Sequence, residues 1–125
     1  MALDYSREVT GSMGVSDLGR SITWYQDILG FELVYRVDDI GWCELSTGFD
    51  GFTIGLSQVE KVQQGGGATN VFGVKDIDVA KAFLDERGVR QDGDIQHVPG
   101  MVKLITFYDP DGNAMMLAQN LADPG

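Results

Sequence analysis

Hydrophobic residues in the first half of the chain follow a strand-like period, then a helical period, and then a strand-like period again. Ser16 or Asp17 can cap the helix, and Gly30 can end it in the left-handed conformation that glycine tolerates. The helix face is indicated by apolar residues at three- and four-residue spacing: Leu18, Ile22, Tyr25 and Leu29. Strands are predicted at about residues 8–15, 31–37, 41–46 and 52–57.

The second half repeats this order. A strand is predicted at residues 69–74, followed by a helix at 76–87 that ends before Gly88. We expect the helix to turn four apolar residues inward: Ile77, Ala80, Phe83 and Leu84. Strands are then predicted at about 94–97, 101–108 and 114–119, the last two joined by the turn-forming residues Asp-Pro-Asp-Gly-Asn at 109–113.

Two short matches indicate that the halves are copies of one β-α-β-β-β module. Val15-Ser-Asp-Leu precedes the first helix as Val74-Lys-Asp-Ile precedes the second, and residues 54–58 resemble residues 115–119, about 60 positions later. The modules would span about residues 7–60 and 68–120 of a single domain, 1–125. The polar, glycine-rich residues 61–67 form the expected linker, and their glycine triplet is not a phosphate loop because no Lys-Ser/Thr pair or helix start follows.

Composition excludes several classes of protein. With 9 Lys and Arg against 19 Asp and Glu, the net charge of −10 would repel nucleic acid and anionic membranes, so we expect neither as a partner. No apolar run is long enough to cross a bilayer and no export signal is evident, which favours a cytoplasmic location. The single cysteine, Cys43, excludes an intramolecular disulfide and a multi-cysteine metal site.

Two stretches resemble the signatures of a known superfamily. Residues 15–31, Val-Ser-Asp-Leu-Gly-Arg-Ser-Ile-Thr-Trp-Tyr-Gln-Asp-Ile-Leu-Gly-Phe, are similar to the first-helix signature of the vicinal oxygen chelate superfamily. That group includes glyoxalase I, the bleomycin-resistance proteins and the extradiol dioxygenases. Residues 107–113, Phe-Tyr-Asp-Pro-Asp-Gly-Asn, resemble its C-terminal signature. The resemblance covers about residues 7–120 and is specific for fold rather than for chemistry, because the superfamily hosts many activities.

The resemblance implies an α+β fold of two tandem βαβββ modules that form a curved sheet around a cleft, with the helices on the convex face. Many relatives of this size are homodimers, so a homodimer is expected here. In the metal-dependent members, four residues on the cleft strands, usually histidines and glutamates, bind a divalent ion.

The four metal-ligating positions implied by the resemblance fall on Thr10, Gly55, Thr69 and Met116. None of these residues supplies a carboxylate, an imidazole or a thiolate, the donors that such sites use in proteins. We therefore expect a member of the superfamily that lacks the metal site and needs no cofactor.

Strand alternation extends the two faces of each predicted sheet. The face that carries the four positions would also include small or neutral residues: Ser12, Thr53, Ser57, Val71, Ala114 and Ala118. The opposite face would pack on the helices through Met13, Val15, Ile54, Leu56, Phe72, Val74, Met115 and Leu117. Small side chains on the cleft side predict a cavity for an organic ligand.

Trp42 and Glu44 are the most suggestive pair of candidate ligand-binding residues. They would share a strand face with Ser46, leaving Cys43 and Leu45 in the core. An indole beside a carboxylate suits a cationic or aromatic ligand, whereas the alternative is that Trp42 packs at the sheet rim or a dimer interface and Glu44 is solvated.

His97 and Lys103 are the other candidates. His97 is the one histidine and could act as a general base, or it could be a surface residue at a strand end. Lys103 would share a face with Ile105 and Phe107.

Three functions stay open. The first is a metal-independent protein of the glyoxalase/bleomycin-resistance type that sequesters a small cationic or aromatic molecule, as in antibiotic resistance; its expected ligand-binding residues are Thr10, Ser12, Trp42, Glu44, Gly55, Ser57, Thr69, Lys103 and Met116. The second is a metal-free lyase, isomerase or cyclase with His97 and Glu44 as acid–base residues. The third is a metal-dependent glyoxalase-like enzyme with a displaced metal site.

Overall fold

The computed structural model describes residues 3–65 and 67–122. The chain divides into two compact units between Gln63 and Gln64, inside the stretch expected to be the linker. Gly66, the middle glycine of the triplet, lies outside the described residues. Unit 1 ends at Gln63 and unit 2 begins at Gln64, and each has its own sheet and helix.

Unit 1 is a four-stranded sheet with one long helix. Its elements in chain order are β1 (Val9–Val15), α1 (Leu18–Leu29), β2 (Glu32–Val37), β3 (Trp42–Ser46) and β4 (Phe52–Gln58), with a single 3-10 turn at Asp38–Ile40 between β2 and β3. The strand order is β1-β4-β3-β2. β1 runs parallel to β4, and the other pairs are antiparallel.

Unit 2 repeats that arrangement. Its elements are β5 (Asn70–Gly73), α2 (Ile77–Glu86), β6 (Gln96–Val98), β7 (Val102–Tyr108) and β8 (Ala114–Asn120), in the strand order β5-β8-β7-β6. The parallel pair is again the first and last strand of the unit. The two units are the tandem βαβββ modules predicted from the sequence, and the α+β class is confirmed.

The helix of unit 1 begins and ends where the sequence pattern indicated. Asp17 rather than Ser16 is the cap, and its carboxylate accepts a hydrogen bond from the backbone N–H of Arg20 at 3.0 Å. Gly30 follows the last turn with a φ of 71°, which glycine adopts without steric cost. Of the four side chains predicted to point inward, Leu18, Ile22 and Tyr25 are buried, whereas Leu29 is partly exposed at the end of the helix.

Alternation along β3 and β4 separates a buried face from an open one. Cys43 pairs with Leu56 and Leu45 pairs with Ile54, and all four side chains are completely buried on the side that carries α1. This layer is the core of unit 1, and burial of its apolar area stabilises the sheet against the helix. The predicted core positions of β3 and β4 are therefore confirmed.

The helix of unit 2, predicted at residues 76–87, spans Ile77–Glu86, and one of its predicted inward residues is exposed. Asp76 caps α2, and Ile77 and Leu84 are buried against the sheet. Phe83, expected to point inward, is instead 37% exposed, and the guanidinium carbon of Arg87 lies 5.1 Å from the centre of its ring. The reason is geometric. Successive residues of a helix are about 100° apart, so Phe83 lies at the edge of the helix face that contacts the sheet through Leu84.

Two glutamines make the same contact in the two units. Gln58 follows β4 residue Ser57 and accepts a hydrogen bond from the backbone N–H of Leu18 at 2.8 Å. Gln119 accepts one from the backbone N–H of Ile77, also at 2.8 Å. Each bond satisfies an amide at the first turn of a helix, where no intrahelical partner exists. The sequence match between residues 54–58 and 115–119 therefore corresponds to a repeated structural role.

The Asp-Pro-Asp-Gly-Asn segment forms the turn between β7 and β8. The buried carboxylate of Asp109 accepts hydrogen bonds from the backbone N–H of Asp111 at 2.9 Å and from that of Asn113 at 2.8 Å, and its second oxygen accepts one from the Asn113 side chain at 2.8 Å. These bonds compensate the desolvation of the charge. Asp109 is thus a turn-forming residue, as expected.

Across residues 3–65 and 67–122, no helix combines the length and the hydropathy needed to cross a lipid bilayer.

Candidate functional site

One face of the unit 1 sheet brings together most of the predicted ligand-binding residues. This face is turned away from α1, and cross-strand pairing places Thr10 beside Thr53, Ser12 beside Gly55, and Gly55 beside Glu44. We call it the Glu44 surface, and it consists of Thr10, Ser12, Tyr35, Trp42, Glu44, Thr53, Gly55 and Ser57.

The carboxylate of Glu44 is held on one side by two hydroxyl groups. Thr53 Oγ1 donates to Glu44 Oε1 at 3.2 Å. Thr10 Oγ1 lies 2.8 Å from Thr53 Oγ1 and 3.4 Å from the same carboxylate oxygen. Among the described residues, none donates a hydrogen bond to Oε2. One oxygen is therefore fixed by the protein, while the other is available to a ligand.

Trp42 lies next to this carboxylate and leans across the sheet. Its backbone pairs with Ser57, but its benzo ring reaches diagonally along β4 and covers Gly55. Its Nε1 donates a hydrogen bond to the hydroxyl of Tyr35 at 3.1 Å. The half-buried indole therefore has a fixed position, with its polar atom satisfied by β2 and its apolar ring on β4.

Tyr35 is a functional candidate that the sequence reasoning missed. In the β2–β3 pair, Leu33 lies opposite Leu45, and the next paired residue is Tyr35 opposite Glu44. The irregularity leaves Val34 as an extra residue, so Tyr35 moves onto the face that simple alternation from Glu32 would assign to Val34. A β-bulge has no reliable sequence signal here, and counting by twos fails across it.

The open face of the unit 2 sheet has a different character. Met116 pairs with Val71 on β5 and with Thr106 on β7, and the neighbouring positions on β8 are Ala114 and Ala118. Thr69 precedes β5 and is exposed. The paired positions of this face carry the hydroxyls of Thr106 and Tyr108 but neither a carboxylate nor an indole, in contrast with the corresponding face of unit 1.

Lys103 and His97 lie on the other face of the unit 2 sheet. Lys103 shares that face with the buried Ile105 and Phe107, as predicted, but this is the face on which α2 packs, and Lys103 Nζ lies 3.5 Å from Asp78 Oδ2 at the start of that helix. His97 is exposed on the edge strand β6 and pairs directly with Lys103. Glu44 therefore lies on the face of its sheet that is turned away from the helix, whereas His97 lies on the face of its sheet on which the helix packs.

The donor atoms at the four positions implied for a metal do not fit a divalent ion. The Thr10 hydroxyl is hydrogen-bonded to Thr53 and Glu44. Gly55 has no side chain to bind an ion, and the space above it is filled by Trp42. Thr69 offers a neutral hydroxyl and Met116 a thioether, both weak ligands for such ions. Within residues 3–65 and 67–122, no group of three or more His, Cys, Asp or Glu side chains converges.

The single cysteine is not part of the open surface. Cys43 is completely buried on the α1 side, and this burial raises the pKa of its thiol above the ordinary 9.0. A hydrogen bond with the Leu56 backbone and the charge of Arg36 partly oppose the shift. A protonated, inaccessible thiol is a poor nucleophile, so Cys43 serves as a core residue.

Known structures with this fold include an antibiotic-binding protein. A glyoxalase/bleomycin resistance protein/dioxygenase superfamily member from Sphaerobacter thermophilus DSM 20745 matches with a TM-score of 0.78 and 25% identity, over 96% of this chain and 100% of its own. TnmS3, an antibiotic binding protein from Streptomyces sp. CB03234, matches with a TM-score of 0.77 and 26% identity, over 96% of this chain and 98% of its own. The fosfomycin resistance protein FosX from Listeria monocytogenes has a TM-score of 0.77 at 19% identity, over 90% and 91% of the two chains, which shows a shared fold alone.

The sequence itself matches a family profile over most of its length. No curated protein sequence is significantly similar to this chain. The profile of the glyoxalase/bleomycin resistance protein/dioxygenase superfamily, however, matches residues 9–117, which span both modules. The chain therefore belongs to the glyoxalase/bleomycin resistance protein/dioxygenase superfamily.

Proposed function

We propose that this protein is a metal-independent binding protein for a small organic molecule that carries a cationic group beside an aromatic ring, and that the Glu44 surface binds it. The observation that supports this most is the arrangement at Glu44. Its Oε1 accepts from Thr53, while its Oε2 has no donor among the described residues and lies on the strand face that carries the Trp42 indole.

The chemistry of the surface favours a cation. A carboxylate that is already held by two hydroxyls loses little side-chain freedom when it binds an ammonium or amidinium group, so the ion pair forms at lower entropic cost. The adjacent indole attracts a cation through its ring face and stacks on an aromatic ring. The net charge of −10 raises the rate at which cations reach the protein at low ionic strength.

The comparison with TnmS3 supports the same class of function. That protein is an antibiotic binding protein and shares 26% identity with this chain over nearly its whole length. Sequestration of an antibiotic needs a binding surface and no catalytic group, which agrees with the arrangement found in unit 1. We therefore propose a role in antibiotic resistance by binding rather than by turnover.

The proposal also concerns assembly and location. We propose a homodimer, since the edge strand β2 exposes apolar side chains outside the Glu44 surface that a second copy would cover: Leu33, Val34 and Val37. We also propose a cytoplasmic location. Sedimentation equilibrium at micromolar concentration tests the dimer. Thr69 and Met116 stay predictions from the sequence and are not part of the Glu44 surface, and Lys103 and His97 are dropped from the proposal.

The test is a calorimetric titration with proflavine, a planar aromatic cation, at low salt. We expect saturable binding to the wild type, and much weaker binding of anthracene-2-carboxylate, a planar anion of similar size. Glu44→Gln keeps the shape of the side chain and removes its charge, so it should weaken proflavine binding roughly tenfold.

Glu86→Gln is the matched control, because it removes the same charge from an exposed residue at the end of α2. It should bind proflavine as the wild type does. Equal weakening by both variants would mean that only the overall charge matters, and binding unaffected by Glu44→Gln would remove the Glu44 surface from the proposal. Equilibrium dialysis against Mn²⁺ and Zn²⁺ tests metal independence, and a stoichiometric ion on the wild-type protein would contradict it.

A further inference from the structure

Gly55 is one of the positions at which the superfamily resemblance implies a metal ligand, yet here the space above it is filled by the side chain of another strand. We infer that Gly55 determines the specificity of the Glu44 surface: because residue 55 has no side chain, the Trp42 ring covers β4 at this point, and the surface takes an aromatic amine in place of a divalent ion. This inference rests on the proposed function and names the residue that selects its ligand class.

The contact leaves no room for any side chain at residue 55. A Cβ atom built on Gly55 would lie 2.6 Å from Cζ2 and 2.9 Å from Cζ3 of Trp42, and closer still to Cη2. Two carbon atoms that are not bonded have their optimal separation at about 3.5 Å and repel each other at clearly shorter distances. Even alanine at this position would therefore displace the benzo ring.

Tyr35 fixes the ring in that place. The hydrogen bond from Trp42 Nε1 to the Tyr35 hydroxyl, 3.1 Å long, holds the indole from the β2 side. A ring that moved off Gly55 would lose this bond or strain it. The position of the indole is thus set by two features together, the missing side chain on β4 and the hydroxyl on β2.

The same contact places the aromatic ring beside the carboxylate. Glu44 pairs directly with Gly55, and Trp42 is two residues before Glu44 on the same face of β3. The ring over Gly55 therefore borders the carboxylate that is held by Thr53. A ligand with a planar ring and an adjacent amine matches this pair, with the ring against the indole and the amine at Glu44 Oε2.

A metal-ligating side chain at residue 55 would need the volume that the indole now fills. Histidine or glutamate there would have to expel the ring and break its bond to Tyr35. Aromatic recognition and metal ligation at this position therefore exclude each other. Gly55 together with Trp42 favours aromatic recognition.

The first test needs no ligand. Gly55→Ala is compared with Gly73→Ala, which adds the same methyl group to a strand glycine with no neighbouring atom within 4 Å. Both are made in a Trp24→Phe background so that Trp42 is the only indole. Gly55→Ala should change the near-ultraviolet circular dichroism and the emission maximum of Trp42, and Gly73→Ala should change neither. Unchanged Trp42 spectra in Gly55→Ala would overturn the inference.

A second measurement keeps the inference testable if Gly55→Ala is poorly folded. We expect Gly55→Ala to lower the melting temperature when Trp42 is present and to have little effect in a Trp42→Ala background, because the clash is then absent. An equal loss in both backgrounds would show that the cost arises from the strand backbone and not from the indole.

The third measurement concerns the ligand. Proflavine should bind Gly55→Ala on the order of tenfold more weakly than it binds the wild type, while Gly73→Ala binds as the wild type does. If proflavine does not bind the wild type, the proposed function fails, while the spectra and the melting temperatures still decide whether the indole occupies the space above Gly55. If it binds Gly55→Ala and the wild type equally, Gly55 does not determine specificity.

Discussion

Gln58 Oε1 accepts a hydrogen bond from the backbone N–H of Leu18, the first residue of α1, at 2.8 Å. Gln119 and Ile77 repeat the relationship in unit 2. In both units, a side chain of the last strand thus binds the backbone at the start of the helix. Because this amide is one of the few in a helix without an intrahelical partner, the bond contributes to stability.

Replacing either glutamine should therefore destabilise its unit. We expect Gln58→Ala or Gln119→Ala to lower the free energy of unfolding by about 1 kcal/mol, the usual cost of losing a capping interaction. Urea denaturation followed by circular dichroism measures the change. Gln58→Glu keeps an acceptor oxygen and places a negative charge at the positive end of the helix, so it should retain most of the stability. A loss in Gln58→Glu equal to that in Gln58→Ala would contradict the assigned role.

The threonine hydroxyl that holds Glu44 should affect binding more than folding. Thr53→Val removes the donor to Glu44 Oε1 and preserves the shape of the side chain. Because the carboxylate then becomes freer, proflavine affinity should fall about three- to tenfold, whereas the free energy of unfolding should change by less than about 1 kcal/mol at this partly exposed site. Thr53→Ser keeps the hydroxyl and should bind nearly as the wild type does. Calorimetric titration of the three proteins checks this order.

Acid should weaken the contact between α2 and the segment that follows it. Hydrogen bonds from Gln91 and from Lys81 lower the pKa of Asp85 below its ordinary 3.8. A carboxyl group with a lowered pKa in the folded state contributes stability that is present above pH 3.8 and is lost as the pH falls through the lowered value. The stability difference between wild type and Asp85→Asn should therefore be present at neutral pH and shrink below pH 3.8.

Asp92→Asn serves as the control for that pH series, since it removes the same charge from an exposed loop residue. Its difference from the wild type should be small at neutral pH. Urea midpoints measured from pH 7 to pH 2.5 give both comparisons, and a difference for Asp85→Asn that does not depend on pH would refute the role of the ionised carboxylate.

Cys43 should resist thiol reagents in the folded protein. It is completely buried and its pKa is raised, so at pH 7.5 only a small fraction is thiolate and reagents cannot reach it. Reaction with 5,5′-dithiobis(2-nitrobenzoate) should be at least about a hundredfold slower in the native state than in 6 M urea, because it needs a local opening of the sheet. Rapid native-state reaction would show that the α1 side of β3 is not packed as described.

Much of the fold could be predicted because its signals are local. The cap at Asp17 and the glycine after α1 act within a few residues, and the alternation of β3 and β4 is unbroken. The open-face positions of unit 1 followed from the same alternation, once the family resemblance had placed Thr10 and Gly55 on the open face.

The sequence reasoning failed where long-range geometry decides the outcome. Tyr35 was missed because a bulge after Leu33 changes the phase of β2. Lys103 was assigned to the ligand, although its partner is Asp78 on α2, because alternation gives two faces without saying which one the helix covers. The position of the Trp42 ring over Gly55 depends on a side-chain orientation that no periodicity encodes.

The bulge in β2 also affects how this site can evolve. Strand β2 lies at the edge of its sheet, so only β3 has to accommodate a change in its length. Deleting Val34 would restore regular pairing while Leu33 stays opposite Leu45 and Tyr35 stays opposite Glu44, so each side chain would keep its present face. A relative could thus lose this one codon and still keep the tyrosine that holds the indole.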